Sequence, residues 1–132
     1  MSQTPDAAVA VVRKFVIEVQ QDGKLDLIPQ LIHKDCIDHS AQPGSDGEYA
    51  GVGGIIQYLH SVITNMKVDI VHCVNDGDIV ATNKVFRGVQ AGDLFGKPAT
   101  NKQIEMRVMD FVKIVDGKVK EHWATLGQVV DL

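Results

Sequence analysis

Two Asp-Gly pairs, Asp76-Gly77 and Asp116-Gly117, each sit between stretches that alternate apolar and polar residues. Both residues of such a pair tolerate positive φ, so each pair marks a tight hairpin, and a two-residue loop fixes which side chains lie opposite one another. "KVDIVHCVN" and "DIVATNKVFRGV" flank the first pair; "KQIEMRVMDFVKIV" and "KVKEHWATL" flank the second. From Lys67 onward the chain therefore predicts four strands joined as an antiparallel meander.

Before Lys67 the period is helical. Thr4-Pro5-Asp6 combines a hydroxyl N-cap, a proline at the first position and an acid in the first turn. Ala8, Val11, Val12, Phe15 and Val19 then recur at helical spacing, and Gly23 is placed to end the helix. A short second helix follows, with Asp26 as N-cap and Pro29 tolerated in its first turn. "CIDHS" (36–40) reads as a short strand, "AQPGSDGEYAG" (41–51) as a loop rich in turn residues, and roughly 52–66 as a third helix. The order is α-α-β-α-β-β-β-β, an α+β domain spanning 1–132, with 45% hydrophobic residues to fill one core.

Register converts these strands into faces. With Asp116-Gly117 as the loop, Val112 opposes Glu121 and Asp110 opposes Trp123. One face then carries Ile104, Met106, Val108, Asp110, Val112, Ile114, Val119, Glu121 and Trp123, and is the buried one; His122 falls on the other. With Asp76-Gly77 as the loop, His72 opposes Ala81 and Ile70 opposes Asn83, so His72 and Asn83 share an otherwise apolar face. In "CIDHS", Ile37 and His39 share a face and Asp38 turns away. His39, His72, Asn83, Asp110 and Trp123 are thus expected to converge on one cavity, with Tyr58 near it on the third helix. Apolar walls with a few convergent polar groups describe a small-molecule pocket. A carboxylate beside an indole among aliphatic side chains is expected to have a raised pKa. The plainer readings are a core histidine at His72, a packing role for Tyr58, and an Asp110 neutralised by Arg87 or Lys84.

The opposite sheet face, with Val71, Cys73, Val80, Phe86, Met109 and Phe111, is too apolar to be wholly solvated. It predicts a two-fold dimer. Net charge is -4 and no basic run occurs, which disfavours nucleic-acid and anionic-membrane partners. No apolar stretch approaches the roughly 20 residues that span a bilayer. The N-terminus lacks a basic signal-peptide region, and Cys36 and Cys73 lack metal-type spacing, so a reduced, cytoplasmic setting is expected. The histidines at 33, 39, 60, 72 and 122 form no zinc-binding pattern, and no metal is expected.

The chain resembles the SnoaL-like polyketide cyclase family within the nuclear transport factor 2-like, cystatin-related superfamily. The resemblance rests on "CIDHS", "YAGVGGIIQYL", "NDGDIVATNKVFRGVQAGDLFGKPATNKQIEM" and "DFVKIVDGKVKEHW". It implies a conical, strongly curved mixed or antiparallel sheet around a deep cavity covered by three helices. It also implies cofactor-free acid/base chemistry on a carbonyl substrate: aldol ring closure, isomerisation or dehydration. In such cyclases a catalytic aspartate lies on the last strand just beyond the Trp; here that region reads Ala124-Thr125-Leu126-Gly127. The expected base is therefore Asp110, with His39 as proton donor and His72, Asn83, Trp123 and Tyr58 as substrate contacts. The rival reading is a non-catalytic dimeric ligand-binding or accessory domain of the same fold, in which Asp110 is only ion-paired.

Overall fold

The structure, a computed structural model, describes residues 5–40 and 47–132. The Thr4 cap and most of the 41–51 loop lie outside the described residues. Helix α1 (Pro5–Lys14) continues into a π-helical turn (Phe15–Gln21). Gly23, at φ +73°, ends it with its N–H on Val19 O at 3.0 Å. A 3-10 turn (Leu25–Leu27) leads into the four-residue α2 (Ile28–Leu31), which carries Pro29 in its opening turn. Then come β1 (Ile32–Asp38), α3 (Tyr49–Val62), β2 (Ile63–Asp76), β3 (Ile79–Gln90), β4 (Gln103–Val115) and β5 (Lys118–Asp131).

The five strands form one sheet in the order β1-β5-β4-β3-β2. The last four pair as the expected antiparallel meander, and β1 adds to β5 in parallel, making the sheet mixed. The first helix buries Ala8, Val12, Val16 and Val19, and α3 buries Ile56 and Leu59. These pack with Ile104, Met106, Val108, Val112 and Ile114 of β4, whose even-numbered positions all face inward. The core therefore lies between the helices and the concave face of the curved sheet.

Two register expectations change, and the second matters for the site. The second hairpin turns at Asp116-Gly117 as expected, with φ +51° and +77°. The first turns at Gly77-Asp78, because Asp76 pairs with Ile79. There only Gly77 has positive φ (+61°), which suits a loop with glycine in its first position rather than its second. The shift makes His72 and Asn83 direct partners but leaves them on one shared face. That face is the outer one because β3 pairs with β4 as Thr82↔Asp110, which turns Thr82, Lys84 and Phe86 inward. On β5 the register slips between Ile114↔Val119 and Lys113↔Glu121, leaving Lys120 as an extra residue. A bulge of this kind reverses which face each later residue occupies. Beyond it, Val112 faces His122, Phe111 faces Trp123, and Asp110 faces Ala124 instead of Trp123.

Candidate active site

A cavity of about 500 Å³ opens between α3 and the concave sheet face. Apolar side chains such as Ile55, Leu59, Phe86, Phe95, Met106 and Val108 form most of its wall. On its polar wall stand four linked ionisable groups, Asp38, His122, Asp110 and Lys84, beside Gln20, Ser40 and Tyr58. Strand pairing brings them together. Asp38 on β1 lies beside His122 on β5, His122 lies across from Val112, two residues from Asp110 on β4, and Asp110 pairs with Thr82, two residues from Lys84 on β3.

The contacts alternate in charge. His122 Nδ1 lies 3.0 Å from Asp38 Oδ1, and His122 Nε2 lies 3.1 Å from Asp110 Oδ2. Lys84 Nζ donates to Asp110 Oδ2 at 2.9 Å and to Gln20 Oε1 at 3.0 Å. The Thr82 hydroxyl donates to Asp110 Oδ1. Asp38 Oδ1 also accepts from the Ser40 hydroxyl at 2.6 Å and the Ser40 N–H at 3.0 Å. Among the described residues, Asp38 Oδ2 has no hydrogen-bond partner.

This pattern fixes protonation. Ionised carboxylates only accept hydrogen bonds, so a ring with a carboxylate on each nitrogen must donate from both and is an imidazolium. Burial pulls the His122 pKa down, but the hydrogen bonds and charges of Asp110 and Asp38 outweigh it and raise it to about 9. For Asp110, burial pushes the pKa up, but the hydrogen bond from His122, the Lys84 charge and the Thr82 hydroxyl outweigh it and hold the carboxyl well below the usual range. The raised value expected for Asp110 is thus corrected: the desolvation is there, and two cations overcome it. Asp38 follows the same pattern, with burial outweighed by His122 and Ser40 to give about 2. Two anions and two cations make the chain neutral overall, which a buried polar cluster requires.

Of the residues expected to converge, Asp110 and Tyr58 line the cavity. The Tyr58 hydroxyl accepts from the Phe95 N–H at 3.0 Å and donates to Asp93 O at 3.2 Å, tying α3 to the β3–β4 loop. His39 and Trp123 lie together on the outer face, rings stacked 4.8 Å apart, with His39 Nε2 2.9 Å from Glu121 Oε1. Asn83 donates to His72 Nδ1 at 3.3 Å, also outside. His39, His72, Asn83 and Trp123 are therefore removed from the cavity by the register of β3 on β4, the Lys120 bulge and the pairing of β1 with β5. That pairing also turns Asp38 inward, opposite to expectation. Val80 and Phe86, expected on the outer face, are buried inside.

Asp38 and His122 were not expected at the site. The signal for His122 was electrostatic. A buried Asp110 asks for a cation on the facing strand, and straight pairing would instead turn Glu121 inward. The bulge puts Glu121 outside, near Lys113, and His122 inside.

A five-stranded mixed sheet curved over a cavity and closed by helices is the nuclear transport factor 2-like α+β cone, a fold of small-molecule enzymes among others. Residues 10–129 match the SnoaL-like polyketide cyclase family, and the chain belongs to it. Aklanonic acid methyl ester cyclase DnrD of Streptomyces peucetius is 24% identical over 117 residues, covering 86% of this chain and 80% of the cyclase. The structure of TsrD from Streptomyces laurentii superposes with a TM-score of 0.83 at 19% identity, covering 94% of this chain and 91% of TsrD. IdmH of Streptomyces antibioticus gives a TM-score of 0.76 at 26% identity, covering 94% of this chain and 92% of IdmH.

Proposed function

We propose that the protein is a cofactor-free acid/base enzyme acting on a carbonyl-containing small molecule, with ring closure of the polyketide-cyclase type as the reaction. The observation that carries this reading is the neutral chain Asp38–His122–Asp110–Lys84 exposed on one wall of an otherwise apolar cavity. Asp38, whose Oδ2 has no hydrogen-bond partner among the described residues, takes a proton from the carbon next to a carbonyl. The imidazolium of His122 and the ammonium of Lys84 stabilise the enolate oxygen that results. The enolate carbon then bonds to a second carbonyl carbon, and the new alkoxide recovers the proton. Asp110 holds both cations in place and is a positioning residue rather than the base. DnrD, a cyclase of a methyl ester, supports a ring-closing reaction of this class.

A second reading has its own observation. Asp110 has both oxygens engaged, and Ala124 stands opposite it on the strand where the family carries its aspartate. A saturated network of this kind also suits a domain that binds a ligand without turning it over. Turnover of a cyclisable β-diketone, measured beside calorimetric binding, separates the two. Asp38→Asn and His122→Gln are each expected to lower turnover about 100-fold or more, with affinity changed far less. Binding by the wild type without turnover would put the ligand-binding reading first.

We further propose that the protein acts as a dimer of two copies joined through the outer sheet face. Val74, Ala81, Phe111 and Trp123 there form one cross-strand row, and a monomer mass by light scattering would exclude this. Cys36 and Cys73 are unpaired, which supports a reducing, cytoplasmic compartment. No helix among the described residues is long and apolar enough to cross a membrane.

A further inference from the structure

The charged chain has open space on two sides. Besides the large cavity, a second of about 80 Å³ lies against the first helix, β1 and the start of β5. Gln20, Asp38, Lys84, Asp110 and His122 line both. The remaining walls of the small cavity are apolar, with Val12, Val16 and Ile32 at 2% exposure or less and Cys36 beside them. The reacting groups thus stand on the boundary between two apolar spaces of very different size.

We propose that the small cavity is a subsite for a short apolar substituent next to the ligand's reacting carbonyl, while the large cavity holds the body of the molecule. This rests on the acid/base reading above and narrows its substrate class to carbonyl compounds bearing a short alkyl branch. Size sets the limit. A cavity of about 150 Å³ accepts a benzene ring, so roughly half that volume holds about three carbons. Chemistry sets the character. A water or polar group needs two to four polar partners, and the polar side chains on this wall already bind one another. Val12, Val16, Ile32, Cys36, Val112 and Val119 of this wall belong to the close-packed core and yield little to a longer chain on that side, whereas Ile37 and Ile55 are about half exposed.

The test is calorimetric binding of 3-alkylpentane-2,4-diones, with the alkyl group lengthened from hydrogen to pentyl, to the full chain. Affinity should rise about fourfold per carbon up to about the third, then fall. Val16→Ala should move the limit outward by about one carbon, and Cys36→Leu should move it inward. If either variant fails to fold, the other and the wild-type series still decide. Affinity that climbs steadily through pentyl, or a limit unmoved by the variants, overturns the subsite. A length limit here without turnover of the cyclisable β-diketone above keeps the subsite and removes the acid/base reading; turnover of that diketone without a length limit does the reverse. Absence of binding across the series overturns both.

Discussion

His122 on the inner face of the sheet and His39 on the outer face both meet carboxylates, but in opposite settings. His122 lies between Asp38 and Asp110 in a cavity wall, with Lys84 balancing the second anion. His39 stacks on Trp123 and meets Glu121 alone, with 38% of its side chain exposed. Solvent screens the outer pair, so its attraction is weak. On the inner face each charge depends on its neighbours, because an unpaired charge there loses water and gains nothing in return. Histidine chemistry is the same in both places; burial and the number of partners make one of them a poised acid.

The largest contrast should come from removing one carboxylate on each face. Asp110→Ala leaves Lys84 buried beside Gln20 alone and frees one nitrogen of His122. We expect a loss of roughly 3–5 kcal/mol in urea unfolding. Glu121→Ala on the outer face should cost about 1 kcal/mol or less. Equal losses would break the comparison.

The pH dependence of stability should carry the next largest effect. The raised His122 pKa stabilises the fold fully below its ordinary 6.5 and loses that contribution as pH rises toward about 9. The lowered Asp38 pKa stabilises above the ordinary 3.8 and loses its contribution as pH falls toward about 2. Asp110 acts in the same acid direction. The urea midpoint should therefore be highest between about pH 4 and 6.5 and fall on both sides. The alkaline decline amounts to something on the order of 2–3 kcal/mol, and His122→Gln should flatten it. A wild-type midpoint that stays level from pH 6 to 9 would count against the buried imidazolium.

The smallest effect belongs to His39. His39→Ala should change stability by about 1 kcal/mol or less and leave turnover within about twofold. A large loss of turnover with unchanged folding would return His39 to the site.

Much of the architecture was legible because it depends on period and punctuation. The valine stripe of the first helix, Gly23 as its stop, the meander and the turn at Asp116-Gly117 all follow from local chemistry. On β4 the alternation from Ile104 to Ile114 placed Asp110 inside without error. The rest depended on single-residue displacements that pattern alone does not fix. The 91–102 connection does not fix the register of β3 on β4, and the Thr82↔Asp110 pairing left His72 and Asn83 on the outer face. Nothing in "KVKEHW" marks Lys120 as an added residue, yet it decides whether His122 or Trp123 meets Asp110. The parallel pairing of β1 with β5 is a long-range contact, and it turns Asp38 inward. The fold tolerates such slips in reading; the site does not.

The most direct measurement is an NMR titration of the His122 ring nitrogens in the wild-type protein. Both nitrogens should be protonated at pH 7, with deprotonation centred near pH 9. Asp38→Asn should lower that midpoint, because one of the two anions holding the proton is gone. A neutral His122 at pH 7, titrating at or below its ordinary 6.5, would contradict the proposed charge chain and the chemistry built on it.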